Sequence, residues 1–188
     1  TAGNAAAQVT RALTITADVT NPVISLLGDA SLTLEVGDTF IDSGAMATDA
    51  VDGSLTANIV VTGSVDTSAV GIYTLAYNVS DDSGNAATSV IRTVVVQDTS
   101  APVITLLGDT SMTLEVGDTF TDAGATATDA VDDDQTLTAN IVVTGSVNTD
   151  AVGIYTLTYT LSDAAGNAAK SVTRTVVVQD TVIPVIIL

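Results

Sequence analysis

The stretch GIYTLTYTLSDAAGNAAKSVTRTVVVQ, residues 153–179, reads as two long β-strands and the corner between them. Tyr155, Leu157, Tyr159 and Leu161 alternate with Thr156, Thr158 and Thr160. A period of two, with one apolar face and one Thr-rich face, marks a strand half buried in a core. The second run, Val172–Gln179, alternates in the same way. Almost the same text stands at residues 71–97 as GIYTLAYNVSDDSGNAATSVIRTVVVQ. There Tyr73, Leu75, Tyr77 and Val79 share one face, and Val90, Arg92, Val94 and Val96 alternate with Ile91, Thr93, Val95 and Gln97.

The likeness continues upstream. DVTNPVISLLGDASLTLEVGDTF begins at Asp18 and DTSAPVITLLGDTSMTLEVGDTF at Asp98, so residues 18–97 and 98–179 are two copies of one unit. A self-match at this period marks a tandem array of small domains. Shorter apolar runs, Val23–Leu27, Ser31–Val36 and Asn58–Val61, are separated by the turns Gly28-Asp29 and Gly37-Asp38. No stretch carries an apolar stripe at helical spacing. Many short strands within one small domain predict an all-β antiparallel sandwich. Residues 1–17 read as the last strand or strands of a preceding repeat, with an unpaired strand at Val9–Thr16. Residues 180–188 read as the first strand of a following one.

Between the copies, Val96-Gln97 leads through Asp98-Thr99-Ser100-Ala101-Pro102 to Val103. Pro102 sets its own φ and keeps Ala101 extended, so the connection is short and semi-rigid. Repetition of such joints predicts a rod that lengthens by on the order of 35–40 Å per repeat, from strands rising about 3.3 Å per residue.

Composition excludes more than it selects. The net charge is −18, with only Arg11, Arg92, Lys170 and Arg174 basic. That removes nucleic acid as a partner and disfavours anionic membrane. It suits divalent cations or a salt-rich medium. Cys and His are absent, which removes disulfides, thiol nucleophiles, the usual general base and the commonest transition-metal ligand. Trp is absent and aromatics are 3%, so no stacking platform for sugars or bases is visible. No run of apolar residues is long enough for membrane insertion. Paired acids without a cleft or aromatics predict no enzyme.

Three motifs carry a family likeness: Gly-x-Tyr-x-Leu-x-Tyr at Gly71–Tyr77 and Gly153–Tyr159, Asp-x-x-Gly-Asn at Asp81–Asn85 and Asp163–Asn167, and Asp-x-x-x-Pro from Asp18, Asp98 and Asp180. In this order the chain resembles the bacterial surface immunoglobulin-like repeats, found in long adhesins, as accessory modules of secreted enzymes and in a crystal toxin. The resemblance implies two tandem immunoglobulin-like antiparallel β-sandwiches of seven strands each, displayed extracellularly or on a bacterial cell surface, often with Ca²⁺ near domain ends.

Acidic loops are the candidate sites. Asp49-Ala-Val-Asp52-Gly53 recurs as Asp129-Ala-Val-Asp132-Asp133-Asp134 with two further residues inserted. Asp81, Asp82 and Asn85 recur in part as Asp163 and Asn167. With the junction residues, the Ca²⁺ candidates are Asp18, Asp49, Asp52, Asp81, Asp98, Asp129, Asp132, Asp163, Asn167 and Asp180. Six to eight oxygens are what Ca²⁺ requires. The competing reading is turn chemistry, since Asp and Asn before Gly bond local backbone amides. Tyr73 and Tyr155, each after a Gly at the start of a long strand, predict tyrosine corners. Arg92 and Arg174 sit on the apolar side of their strands, which predicts pairing with a carboxylate or a snorkelling position at the rim.

The function expected is a structural extender or stalk of a long repetitive extracellular adhesin or filament, with neighbouring copies as partners and Ca²⁺ at the joints. The alternatives are a filament subunit completed by strands of other chains and an adhesive module that binds a surface glycan or protein. Near-identity of the copies favours the extender. Asp132–Gln135, where they differ, keeps the binding reading open.

Overall fold

A computed structural model describes residues 2–3 and 6–187. By internal contacts the chain divides into two compact units, one of residues up to Leu34 with Asp38–Val96, the other of Glu35–Gly37 with everything from Gln97 onward.

In the first unit the chain order is β1 (Val23–Leu26), β2 (Ser31–Glu35), β3 (Ala45–Asp49), β4 (Gly53–Ser54), a 3₁₀ turn (Thr56–Asn58), β5 (Val60–Thr62), β6 (Gly71–Asn78) and β7 (Val90–Gln97). Two sheets result, β1-β3-β4 and β2-β7-β6-β5. The predicted long strands pair antiparallel, Tyr77 opposite Val90, Leu75 opposite Arg92 and Tyr73 opposite Val94. Their alternation delivers Leu75, Tyr77, Val94 and Val96 inward, where Ile24, Ala45, Ala47, Leu55 and Val79 add to the core. Each such large apolar side chain stabilises the unit by about 2 kcal/mol.

The second unit continues with β8 (Val103–Leu106), β9 (Ser111–Glu115), β10 (Ala125–Thr128), α1 (Asp134–Ala139), β11 (Val142–Thr144), β12 (Gly153–Thr160) and β13 (Val172–Gln179). Its sheets are β8-β10 and β9-β13-β12-β11. Ile104, Ala127, Leu137, Leu157, Tyr159 and Leu161 form its core.

Three expectations are corrected. The sandwich is not wholly antiparallel, because β9 runs parallel to β13. After β8 the chain turns at Gly108, whose φ of +72° suits glycine, and passes to the other sheet as β9. The second unit has six strands rather than seven, since α1 stands where β4 stands in the first. A helix therefore exists where periodicity showed none. Six residues are too few to display a stripe, and the cap is its only signal.

Residues 6–17 and 180–187 form no strand, and Val9, Leu13, Ile15, Val185, Ile186 and Ile187 are exposed. An apolar strand edge gains nothing without a partner sheet. The parts of those predicted strands at residues 1, 4, 5 and 188 lie outside the described residues.

Both tyrosine corners form. Tyr73 Oη donates to Ala69 O at 2.9 Å and Tyr155 Oη to Ala151 O at 3.0 Å. The buried arginines find carboxylates, so neither snorkels. Arg92 is 1% exposed, pairs with Asp42 and donates to Leu27 O, to Gly44 O at 3.2 Å and to Asp29 O at 3.1 Å. Tyr77 Oη donates to the same Asp42 at 2.6 Å. Arg174 Nη1 lies 2.9 Å from Asp122 Oδ1, and Tyr159 Oη donates to that carboxylate at 2.7 Å. Burial, and then the bond to Asp42 or Asp122, pushes each tyrosine up to about 12. This triad pins the loop after β2 or β9 under the sheet.

Candidate functional site

The corner that follows β6 begins at Asp81. Its Oδ1 accepts from Asn85 N and its Oδ2 from Asn85 Nδ2, both at 2.7 Å. Asn85 Nδ2 also reaches Asp18 O at 3.2 Å, which draws the start of the repeat against the corner. The corner after β12 is built identically. Asn167 donates to Asp163 at 2.7 and 2.8 Å and to Asp98 O at 3.1 Å. Asn167 thus acts through its amide nitrogen as a clamp on two aspartates. For Asp163, burial raises the carboxyl, but the Asn167 bonds outweigh it and the net shift is downward.

A second loop supplies the other acids. At the end of β3, Asp49 Oδ1 accepts from Val51 N at 2.7 Å and Asp52 N at 3.2 Å, and those bonds, the Val51 one foremost, lower its pKa. Thr20 Oγ1 sits 2.5 Å from Asp18 Oδ1 and 3.2 Å from Asp49 Oδ2. Asp52 Oδ2 accepts from Asp82 N at 3.1 Å, joining the two loops. The outcome is a group of four, Asp18, Asp49, Asp52 and Asp81, each offering a carboxylate oxygen within 4.8 Å of the others.

The second unit assembles three, Asp98, Asp132 and Asp163, within the same limit. Asp129 is not among them. Its N–H is tied to Asp134 Oδ1 at 3.1 Å, in the inserted segment, and Ser100 stands where Thr20 links Asp49 to Asp18. Asp180 joins no such group among the described residues. Its Oδ1 closes a local turn on Val182 N at 3.2 Å.

Turn chemistry accounts for many of these oxygens, but not all. Asp18 Oδ2 is buried without a hydrogen-bond partner. A buried carboxylate oxygen left bare is costly unless a cation meets it. The two ion pairs among the described residues go to Asp42 and Asp122 and leave both acid groups uncompensated by arginine. Beside the second group, Asp132, Asp133, Thr136, Leu137, Asn140 and Asp163 line a cleft of about 130 Å³. A single water needs only about 10–15 Å³ of such water-accessible space, so the cleft has room for an ion and several waters. The donor set, hard oxygen without nitrogen or sulfur, fits Ca²⁺ rather than zinc or copper.

Sequence reasoning missed Thr20 as the link between Asp18 and Asp49. It also missed Glu35 and Glu115, which grip the residues after β7 and β13. The identity of both glutamates across the copies was the available signal.

Against this geometry, residues 24–96 and 104–178 each match the family described as bacterial surface protein, Ig-like domain. The chain belongs to that family. It is a tandem pair of surface Ig-like domains, with no helix among the described residues long and apolar enough to cross a membrane. It is 33% identical over 147 residues to an uncharacterised protein of Acholeplasma phage L2, covering 74% of this chain. The chain spans about a fifth (19%) of that relative's length. Among solved structures, it is similar to a protein holding CBM51-2, in complex with GlcNAc, and INT domains of Clostridium perfringens ZmpB. The identity is 27%, over 43% of this chain and 17% of that one, with a TM-score of 0.34. The lipoprotein BT2262 of Bacteroides thetaiotaomicron is 19% identical over 81% of this chain and 99% of its own, with a TM-score of 0.38.

Proposed function

We propose that this tandem pair is an extender segment of a longer repetitive surface protein, with Ca²⁺ joining each junction aspartate to the loops of the repeat it precedes. The observation that carries the reading is the recurrence of one arrangement. Asp18 meets Asp49, Asp52 and Asp81, and Asp98 meets Asp132 and Asp163. In each group the acid from the junction converges with acids from two loops, so an ion would tie the chain entering a repeat to that repeat's body. When bound, Ca²⁺ would supply charge neutralisation and oxygen crosslinking. The protein's own residues do the rest: Asn85 and Asn167 orient the corner acids, and Asp49 is held by backbone N–H groups. Membership in a family of surface Ig-like domains supports a non-catalytic role outside the cell.

Calorimetric Ca²⁺ titration of the chain, paired with small-angle scattering and thermal melting with and without chelator, tests this. Binding of ions, a rise in Tm and a longer, narrower distance distribution are expected. No heat and no change in Tm would overturn the ion. Unchanged length with bound ion would remove its stiffening role.

A binding role has its own observation. Ile72 and Ile154 are 73% and 75% exposed at matching places on the two outer faces, beside exposed Val70 and Val152. These could meet a protein or glycan, or a second chain completing a filament. Loop- or face-dependent binding on a glycan or protein array would move the reading there.

A further inference from the structure

Each long sheet ends on the same pair of residues, and the pair reaches past the sheet. Glu35 closes β2 beside the end of β7, and its carboxylate accepts from Gln97 Nε2 at 2.8 Å and Thr99 N at 2.9 Å. Glu115 does the same at the end of β9, accepting from Gln179 Nε2 at 3.0 Å, Thr181 N at 2.9 Å and Thr181 Oγ1 at 2.6 Å. Backbone bonds from Val36 N to Gln97 O and Val116 N to Gln179 O, at 2.9 and 2.8 Å, hold the two strand ends together beneath. One carboxylate thus grips residues on both sides of a junction aspartate, 97 and 99 around Asp98, 179 and 181 around Asp180.

In extended chain alternate side chains point to opposite faces. The pleat that buries Val94 and Val96 puts Asp98 on their face, buried and beside Asp132 and Asp163, and the Glu35 bonds to Gln97 Nε2 and Thr99 N hold the chain on that course past the end of β7. Asp98 Oδ1 then closes a turn on Ser100 N at 2.9 Å, and Asp180 Oδ1 closes its own on Val182 N. The copy at Glu115 repeats the arrangement with residues of the second repeat: Glu115 and Gln179 end β9 and β13, and Thr181 directly follows them, so the grip is made by the repeat that precedes the junction.

We infer that Glu35 and Glu115 are positioning residues, a clasp by which each repeat pre-shapes the first residues of the chain leaving it and presents the junction aspartate to whatever follows. The clasp rests on the reading of the chain as a tandem extender but not on the ion. It acts before Ca²⁺ and without it.

The test uses the whole chain in chelator, with spin labels in the two repeats and hydrogen exchange read at single amides. In Glu35→Ala, exchange at Thr99 N should quicken by a factor of about five, the scale of one lost hydrogen bond. The distance distribution between labels should broaden while Tm stays unchanged. Glu35→Gln, which keeps an acceptor oxygen, should restore most of the narrow distribution. Glu115→Ala should quicken exchange at Thr181 N and leave the distribution between labels untouched. An unaltered Thr99 amide or unaltered distribution in Glu35→Ala overturns the clasp, as does equal broadening in Glu115→Ala. A distribution broad in chelator for the unaltered chain and narrow only with Ca²⁺ overturns the clasp and leaves the ion reading intact. No response to Ca²⁺ in any variant removes the ion and leaves the clasp.

Discussion

The loop after β3 and the loop after β10 begin with the same five residues, Thr-Asp-Ala-Val-Asp, and end with the same Leu-Thr-Ala-Asn. Between those ends one holds Gly53-Ser54 and the other Asp133-Asp134-Gln135-Thr136. In the first, Gly53 takes a φ of +74° and the chain doubles back as β4. In the second, Asp133 caps α1, its carboxylate accepting from Thr136 N and Thr136 Oγ1, each at 2.8 Å. Those bonds, the backbone one first, lower the pKa of Asp133. Yet both loops return to one anchor. Leu55 is 5% and Leu137 3% exposed, and Thr56 and Thr138 accept from the backbone N–H of Ala47 and Ala127 at 3.1 and 2.9 Å. The core tolerates either path because only its two ends are buried. What the insertion alters is the acid group, which keeps four carboxylates in one copy and three in the other. A surface loop can thus retune a candidate ion site without disturbing the sandwich beneath it.

The sharpest way to break this picture of a shared body and divergent loops is to attack the body. Arg92→Met and Arg174→Met should each cost about 3 kcal/mol, the low end for a broken buried pair because Asp42 and Asp122 keep 28% and 27% exposure, by leaving the acid and backbone acceptors without their cation. Arg92 should cost more, by about 1 kcal/mol for one further hydrogen bond, because its Nε meets Asp29 O whereas Arg174 Nε is buried without a partner. Hydrogen exchange resolved on β7 and β13 reads both. A larger loss at Arg174 would mean that the two bodies are not equivalent.

The loops themselves should respond to different chemistry. Asp133→Ala should destabilise the second unit by about 1 kcal/mol through the lost cap and expose the α1 amides. Gly53→Ala should cost the first unit about 1–2 kcal/mol because an L side chain is forced into the left-handed region. If each effect spreads into both units rather than staying in its own, the loops are not independent.

The smallest contrast is expected in alkali, where the two bodies should act alike. The folded pKa of Tyr77 and Tyr159 lies at about 12, above an unfolded value of about 10. The fold therefore favours the neutral phenol. Its contribution is complete below pH about 10 and is lost as pH rises from there through about 12. Ultraviolet titration of phenolate together with exchange of both long sheets should register the two losses together. A phenolate signal from either buried tyrosine near 10 in the folded chain would contradict the Asp42 or Asp122 contact.

Much of this was legible residue by residue. Alternation in residues 71–97 and 153–179 is a local property, and it predicted β6, β7, β12, β13 and the inward faces of Arg92 and Arg174. The tyrosine corners were legible for the same reason, since each bond spans only four residues. The identity of the arginines' partners was not, because Asp42 lies 50 positions from Arg92 among many equivalent acids. The candidate ion site divides in the same manner. Asp81 and Asp163 carry a local Asp-x-x-Gly-Asn motif that announces a corner, whereas Asp129 and Asp132 look alike in sequence and only Asp132 joins the acid group.

By itself the sequence determined that this protein is a tandem repeat of all-β domains, acidic, with short Pro-bearing junctions and no cysteine or histidine chemistry. Periodicity and composition suffice for that, because they act on neighbours along the chain. The tertiary structure alone decided that β9 runs parallel to β13, that α1 replaces β4, that Asp98 meets Asp132 and Asp163 but not Asp129, and that Glu35 and Glu115 hold the chain as it leaves each sheet. Those outcomes depend on which distant loops close against each other. That is settled by burial and hydrogen bonding across the whole unit, and no local pattern encodes it.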